Sequence, residues 1–411
     1  MFLLFIILIL MFIFIFNRNN AVVFNKEPIK IGLIGPWTGS SAKNGISMKE
    51  GAEIAIANIN KNGGIEGHQV ILVTYDDKGN PDECSKGTRQ LIFEEQVTAI
   101  IGPFNSANCL EIMDSVNENQ VPLITPIAMA DEINTRNDYV FRNTLGINEA
   151  NIKTNYFVDY DNGEYLMLEG MGCDTIGIMW QEDVWGENMA NTVISTLDFL
   201  GKSDRLIFSE PYKLRQKDYD YVFKKYKDNL PDVIYIIGLA DEAIRIVSQG
   251  REEGYTGLFY GEGGFNSSDF DKELGKMADG CLFSTQWHPT FSTPMSDVFL
   301  KEYMDTYDGK IPDMFSAITY EAAYVLKNAM EKCVYEPSDL KAYRENLRNN
   351  LAQTRNFNGI SGRISFDYVG QCDRPEFLLQ KRWDGRKIDS IIIYPRDYSQ
   401  GKMNWDFNLS E

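Results

Sequence analysis

The sequence predicts an α/β fold of two lobes, each built on a doubly wound parallel sheet. Three observations lead there. At 411 residues, 44% of them apolar, the chain has material for two hydrophobic cores rather than one. Short β-branched runs alternate with amphipathic helical stretches, the βαβ repetition that produces a parallel sheet. The alternation stops after Phe141-Arg142-Asn143 and then begins again, which places the start of a second lobe.

The elements follow in order. Lys30–Ile34 reads as the first strand, and Ile46–Lys61 as a helix whose apolar positions Ala52, Ala55, Ile56 and Ile59 keep a 3.6-residue period. Val70–Tyr75, Ala99–Ile101 and Pro122–Ile124 continue as strands, with helical segments at 84–96 and 107–119 between them. After Asn143 a helix is expected, then strands at Thr175–Trp180, Leu206–Ser209, Val233–Ile237, Leu258–Tyr260 and Cys281–Thr285. Residues 295–356 read as mainly helical, Met314–Glu331 most clearly. Strand-like Arg363–Phe366, Phe377–Trp383 and Ile388–Tyr394 follow, and the tail 398–411 is polar.

Composition narrows the function. With 59 acids against 40 bases the formal charge is −19, which repels phosphate backbones and anionic lipid, so nucleic acid is not an expected partner. Two histidines, His68 and His288, leave little for acid–base chemistry near neutral pH or for zinc. Glycines 32, 35 and 39 after the first strand do not form G-x-G-x-x-G, and Asp76-Asp77 reads as a turn cap, so neither a nucleotide cofactor nor a catalytic carboxylate pair is expected. No enzyme constellation assembles. The apolar run Met1–Phe16, ahead of polar Asn17–Asn20, resembles an export signal within residues 1–24, cleaved or kept as an anchor. It places the protein outside the cytoplasmic membrane. Six widely spaced cysteines without C-x-x-C suit disulfides in an exported chain better than a zinc cluster.

A dense set of local features fills the first 145 residues. They are Ile31-Gly32-Leu33-Ile34-Gly35-Pro36-Trp37-Thr38-Gly39, Gly51-Ala52 to Asn60 with Lys61-Asn62-Gly63-Gly64-Ile65-Glu66-Gly67, Tyr75-Asp76-Asp77-Lys78-Gly79-Asn80-Pro81, Ile101-Gly102-Pro103-Phe104-Asn105-Ser106, and Val121-Pro122-Leu123-Ile124-Thr125-Pro126. In this order and spacing the chain resembles the leucine/isoleucine/valine-binding family of ABC-transporter substrate-binding proteins, from about residue 28 to 370. The resemblance implies a type I periplasmic-binding-protein fold with a three-segment hinge near 143–148, 285–290 and 356–360. Residues 28–145 and 288–356 then form lobe 1, and residues 146–287 and 357–397 form lobe 2. It implies a monomer that closes on a small amino acid or related carboxylate or amide and hands it to a permease and ATPase complex. The rival readings are a sensor of the same fold working with a separate signalling partner, and an α/β enzyme.

Site residues come from the same two sources. Ser106 stands at a strand-to-helix junction, where its hydroxyl and the first free N–H groups meet an anion, or where it simply caps the helix. The resemblance assigns it the ligand carboxylate, with Phe104 and Asn105 in the same loop. It assigns backbone groups of Ile127 to the ligand and puts Met129 where a threonine hydroxyl is usual. It places Trp185 over the ligand, Leu239 at a tyrosine position, Glu262 near the ammonium-binding glutamate, Asn44 in place of an aromatic, and Phe315 as an aromatic near the cleft. It also suggests a Cys84–Cys109 disulfide, approximately, since the family's bridge aligns at Gly79 and Asn105.

Overall fold

The computed structural model describes residues 24–148, 150, 173–395 and 398–402, with the backbone of strands at 156–159 and 163–166. The N-terminal apolar run and the end of the tail lie outside the described residues, as do the export and anchoring expectations that rest on that run.

The first half alternates as expected: β1 (Ile29–Gly35), α1 (Ala42–Lys61), β2 (Val70–Asp76), α2 (Pro81–Arg89), β3 (Ala99–Ile101), α3 (Ser106–Glu118), β4 (Leu123–Thr125) and β5 (Val140–Arg142). The five strands form one parallel sheet in the order β2-β1-β3-β4-β5. Ile29, Ile31, Leu33 and Ile34 of β1 are all fully buried although they point to both faces, because crossover helices cover a parallel sheet on both sides.

The expected helix after Asn143 begins at Ile147, its continuation falls outside the described residues, and a two-stranded hairpin, β6 (Tyr156–Asp159) and β7 (Gly163–Leu166), follows. Then come β8 (Ile176–Gln181), α4 (Val184–Phe199), β9 (Leu206–Tyr212), β10 (Val233–Ile237), α5 (Ala240–Glu252), β11 (Leu258–Gly261) and β12 (Leu282–Thr285). The chain next runs through α6 (Pro294–Thr306), α7 (Met314–Met330) and α8 (Leu340–Ala352), the short strands β13 (Phe357–Gly359), β14 (Gly362–Phe366) and β15 (Cys372–Asp373), and finally β16 (Phe377–Trp383) and β17 (Ile388–Tyr394). The second sheet has the order β17-β16-β12-β11-β10-β8-β9, its last two strands added antiparallel on the edge of β12.

Helices α6 to α8 return to the first sheet. Phe299, Ile318, Leu326 and Leu351 share one core with Ile31, Ala99 and Ile124. Helices α1 and α7 pack backbone against backbone: a Cβ on Gly51 would lie 2.0 Å from the Ser316 carbonyl oxygen, so only glycine allows the two to meet.

The third crossing differs from expectation. Ile360, Ile364, Phe366 and Cys372 pack into the first core, and Gln371 bridges to Arg142 of β5, so residues 357–373 sit with lobe 1 rather than lobe 2. The second sheet is rejoined only at Phe377, after Arg374-Pro375-Glu376. Three passes of the chain therefore meet at one place and are stitched by amide side chains. Gln286 Oε1 accepts from Thr144 Oγ1 at 3.0 Å and Leu145 N at 3.1 Å, and Gln371 Nε2 donates to Thr144 O at 3.1 Å.

The Cys84–Cys109 bond is not formed; both residues are free thiols. Both side chains are fully buried in one apolar cluster with Ile34, Leu91 and Ile112. Burial pushes the Cys109 thiol up to about 12 and Cys84 higher still, which disfavours the thiolate that disulfide chemistry requires.

Candidate functional site

Parallel sheets present their carboxyl ends to ligands, because there the loops open and the following helices start. Here the carboxyl edges of the two sheets face each other across a cavity of about 250 Å³. The loop after β1 brings Ser40 and Ser41, that after β3 Phe104, Asn105 and Ser106, and that after β4 Ile127 and Met129. From the second sheet, β8 ends in Gln181, β10 runs into Leu239, β11 into Glu262, and β12 into Ser284 and Thr285. Glu376 precedes β16, which runs antiparallel, so its first residues lie at this same edge. The start of α7 adds Met314 and Phe315.

Ser106 is buried, 5% exposed, and does not cap its helix: the N-cap position is Asn105, which makes no side-chain cap bond. Ser106 Oγ instead accepts from Met129 N at 3.2 Å and Ala130 N at 3.3 Å. A hydroxyl has two lone pairs and one proton. With both lone pairs engaged, Ser106 is left as a donor at the mouth of α3, where Ala107 and Asn108 also reach the wall and the helix's first N–H groups have no intrahelical partner. The loops after β3 and β4 are fastened to each other by Thr125, whose Oγ1 donates to Pro103 O at 3.0 Å and accepts from Ala128 N at 3.3 Å. This edge suits a carboxylate.

The opposite edge is acidic. Glu262 is 9% exposed, and its carboxylate accepts from Ser284 Oγ at 2.6 Å and from the Tyr235 hydroxyl. Burial raises its pKa to about 7 against the opposing pull of these two donors. Asp183 caps α4, accepting from Gly186 N at 2.8 Å, and burial raises its pKa as well. Phe104 and Phe315 meet edge to face with centroids 5.2 Å apart, and Trp185 and Leu239 complete an apolar band between the two polar edges.

Of the residues singled out from sequence, Phe104, Asn105, Ser106, Ile127, Met129, Trp185, Leu239, Glu262 and Phe315 stand on this one wall. Asn44 does not. It lies inside the first turn of α1, 8% exposed, with its N–H bonded to Ser41 O, and the preceding Ser40 and Ser41 take the wall position. Sequence reasoning missed Gln181, Ser284, Met314 and Glu376. Each stands at the end of a strand or helix far from the others in sequence, with no local motif to mark it.

The halves also touch around the cavity rim. Lys43 Nζ, from α1, reaches Asp241 at 3.2 Å and Asp269 at 2.5 Å, and Arg215 donates to Gly39 O at 2.6 Å.

Comparison with known proteins agrees with this architecture. A model of the family described as periplasmic binding protein matches residues 28–384. The chain is 26% identical over 364 residues to the Leu/Ile/Val-binding protein BraC3 of Rhizobium johnstonii, covering 88% of this chain and 93% of that protein. It superposes on the leucine-binding protein LivK of Thermotoga maritima with a TM-score of 0.74 and 26% identity, covering 90% of this chain and 99% of that one. A solute-binding protein from R. palustris, solved in complex with benzoate, shares the fold with a TM-score of 0.75 at 18% identity, covering 92% of this chain and 99% of that one.

Proposed function

The chain belongs to the periplasmic binding protein family, with the type I fold of the Leu/Ile/Val-binding proteins, and from that premise we propose that it is the extracytoplasmic substrate-binding protein of an ABC transporter. Its ligand is a small α-amino acid, of the branched-chain class or a related carboxylate or amide, delivered to a permease and ATPase complex. The family is one of binding proteins rather than enzymes, and no turnover is expected of this chain.

One observation carries the reading: a buried hydroxyl left as a donor, Ser106, and a buried carboxylate, Glu262, line the same small cavity from opposite sheets. An α-amino acid offers each the opposite partner, its carboxylate to Ser106 and the mouth of α3, its ammonium to Glu262. Both contacts exist together only when the lobes are closed, so binding shifts an open-to-closed equilibrium. The apolar band of Phe104, Trp185, Leu239 and Phe315 encloses the rest of the ligand and excludes water, which strengthens both charged contacts.

Ser106→Ala tests this directly. A hydrogen bond to a charged group is worth about 1.5–3 kcal/mol, so affinity should fall about 10- to 150-fold. The same change strips the acceptor from the Met129 and Ala130 N–H groups and should lower stability by about 1–3 kcal/mol. Calorimetric titration and thermal melting on one preparation separate the two effects. A lowered melting temperature with unchanged affinity would show that Ser106 only fastens its loops.

A further inference from the structure

Beyond the two contacts that hold an amino acid's main chain, the cavity wall carries polar groups with nothing yet to meet. Gln181, the last residue of β8, is 4% exposed, and its Nε2 donates to Asp183 Oδ2. The other Asp183 oxygen is taken by the Gly186 N–H. Because a carboxylate that accepts at both oxygens can face only the N–H side of an amide, the orientation of Gln181 is fixed. Its Oε1 is turned away from Asp183, buried, and without a hydrogen-bond partner. A buried acceptor left this way costs about 1–3 kcal/mol until a donor arrives.

The charge around it points the same way. Glu182, Asp183, Glu262 and Glu376 all line the cavity, and among the described residues no Lys, Arg or His joins them there. One α-ammonium answers Glu262. A hydrocarbon side chain would leave Gln181 Oε1 facing methyl groups, with its desolvation cost uncompensated. Across the cavity, Asn105 Oδ1 is a second buried acceptor without a partner. Between them Trp185 and Leu239 offer apolar surface for methylene groups.

We propose that the ligand's side chain ends in an amide, and that Gln181 selects it by accepting its N–H at Oε1. The inference rests on the amino-acid reading above and narrows it from a purely aliphatic side chain to a donor-bearing one.

Two isosteric pairs test it: leucine against asparagine, and methionine against glutamine, each titrated calorimetrically into the wild-type protein and into Gln181→Leu. Within at least one pair the amide member should bind about tenfold tighter to the wild type, and Gln181→Leu should erase that advantage while its melting curve stays cooperative. Tighter binding of the hydrocarbon member in both pairs overturns the inference and leaves the amino-acid reading standing. An amide preference that survives Gln181→Leu removes Gln181 from its role. Absence of binding by all four overturns the amino-acid reading and this inference with it. The wild-type comparison needs no variant, so misfolding of Gln181→Leu does not shelter the claim.

Discussion

Glu262→Gln should weaken amino-acid binding about 30- to several thousand-fold, the range expected when one partner of a buried, hydrogen-bonded charge pair is neutralised at a cost of about 2–5 kcal/mol. Its pH dependence distinguishes this from a general loss of packing. Burial raises the Glu262 pKa to about 7 from an ordinary 4.5. A carboxyl whose folded pKa lies above its unfolded value contributes stability that is fully present below the unfolded pKa and is lost as pH rises through the folded one. The ligand-free protein should therefore lose part of its stability between pH 4.5 and 7, and Glu262→Gln should lack that component. Affinity runs the other way. An ammonium needs the ionised carboxylate, so wild-type binding should weaken by up to about tenfold per unit as pH falls below 7, with a proton released on binding. Calorimetry in buffers of different ionisation enthalpy measures that proton. Tyr235, which donates to Glu262, is held well above its ordinary value by burial and stays protonated throughout this range, so the slope belongs to the carboxyl.

The largest effect on stability is expected at the chain crossings. Glu321 and Arg374 are fully buried and paired at 2.7 Å. Glu321 Oε1 also accepts from Asn143 Nδ2 at 3.0 Å, and its Oε2 from Ile360 N at 2.6 Å. Arg374 donates to Asn143 O at 2.7 Å and to Ser361 Oγ at 2.7 Å. One ion pair thus ties α7 to the first crossing and to the short strands that precede the third. Glu321→Ala should cost about 3–5 kcal/mol, because it strands a buried guanidinium. Replacing both partners with methionine should recover much of this loss, since a buried pair is often worth little more than well-packed apolar side chains. Chemical denaturation of the single and double variants reads the difference, and equal loss in both would show that the pair itself, and not the stranded charge, is what stabilises the crossings.

How much of this was legible in the sequence depended on how local the cause was. Val233–Ile237, Phe377–Trp383 and Ile388–Tyr394 are found at the residues expected, because β-branched and aromatic runs declare themselves within a few positions. β5 went unread: Val140–Arg142 has three residues, and only its pairing with β4 makes it a strand. The short strands at 357–373 read as strands at Arg363–Phe366, yet their lobe could not be read. It is set by packing against Ile318 and Phe141, residues far away in the chain. The site divides the same way. Phe104, Asn105 and Ser106 follow one another in a loop, and the motif located them together. Gln181 and Ser284 stand on separate strands and Glu376 directly before a third, and only the order of those strands brings them to one cavity. Asn44 is off the wall for the same reason, since only the packing of the helix start shows that Ser40 and Ser41, just ahead of it, face the cavity instead.

The central claim is that one cavity holds the two charged ends of an α-amino acid, one on each sheet. Calorimetric titration of the wild-type protein with leucine and asparagine, beside their analogues lacking either the amino or the carboxyl group, tests it most directly. The account predicts saturable one-to-one binding of an intact amino acid and loss of at least about tenfold in affinity when either end is removed, because each end supplies a charge-assisted hydrogen bond to a buried partner. A des-amino acid that binds as tightly as its parent would contradict it, since Glu262 and its acidic neighbours would then face no cation.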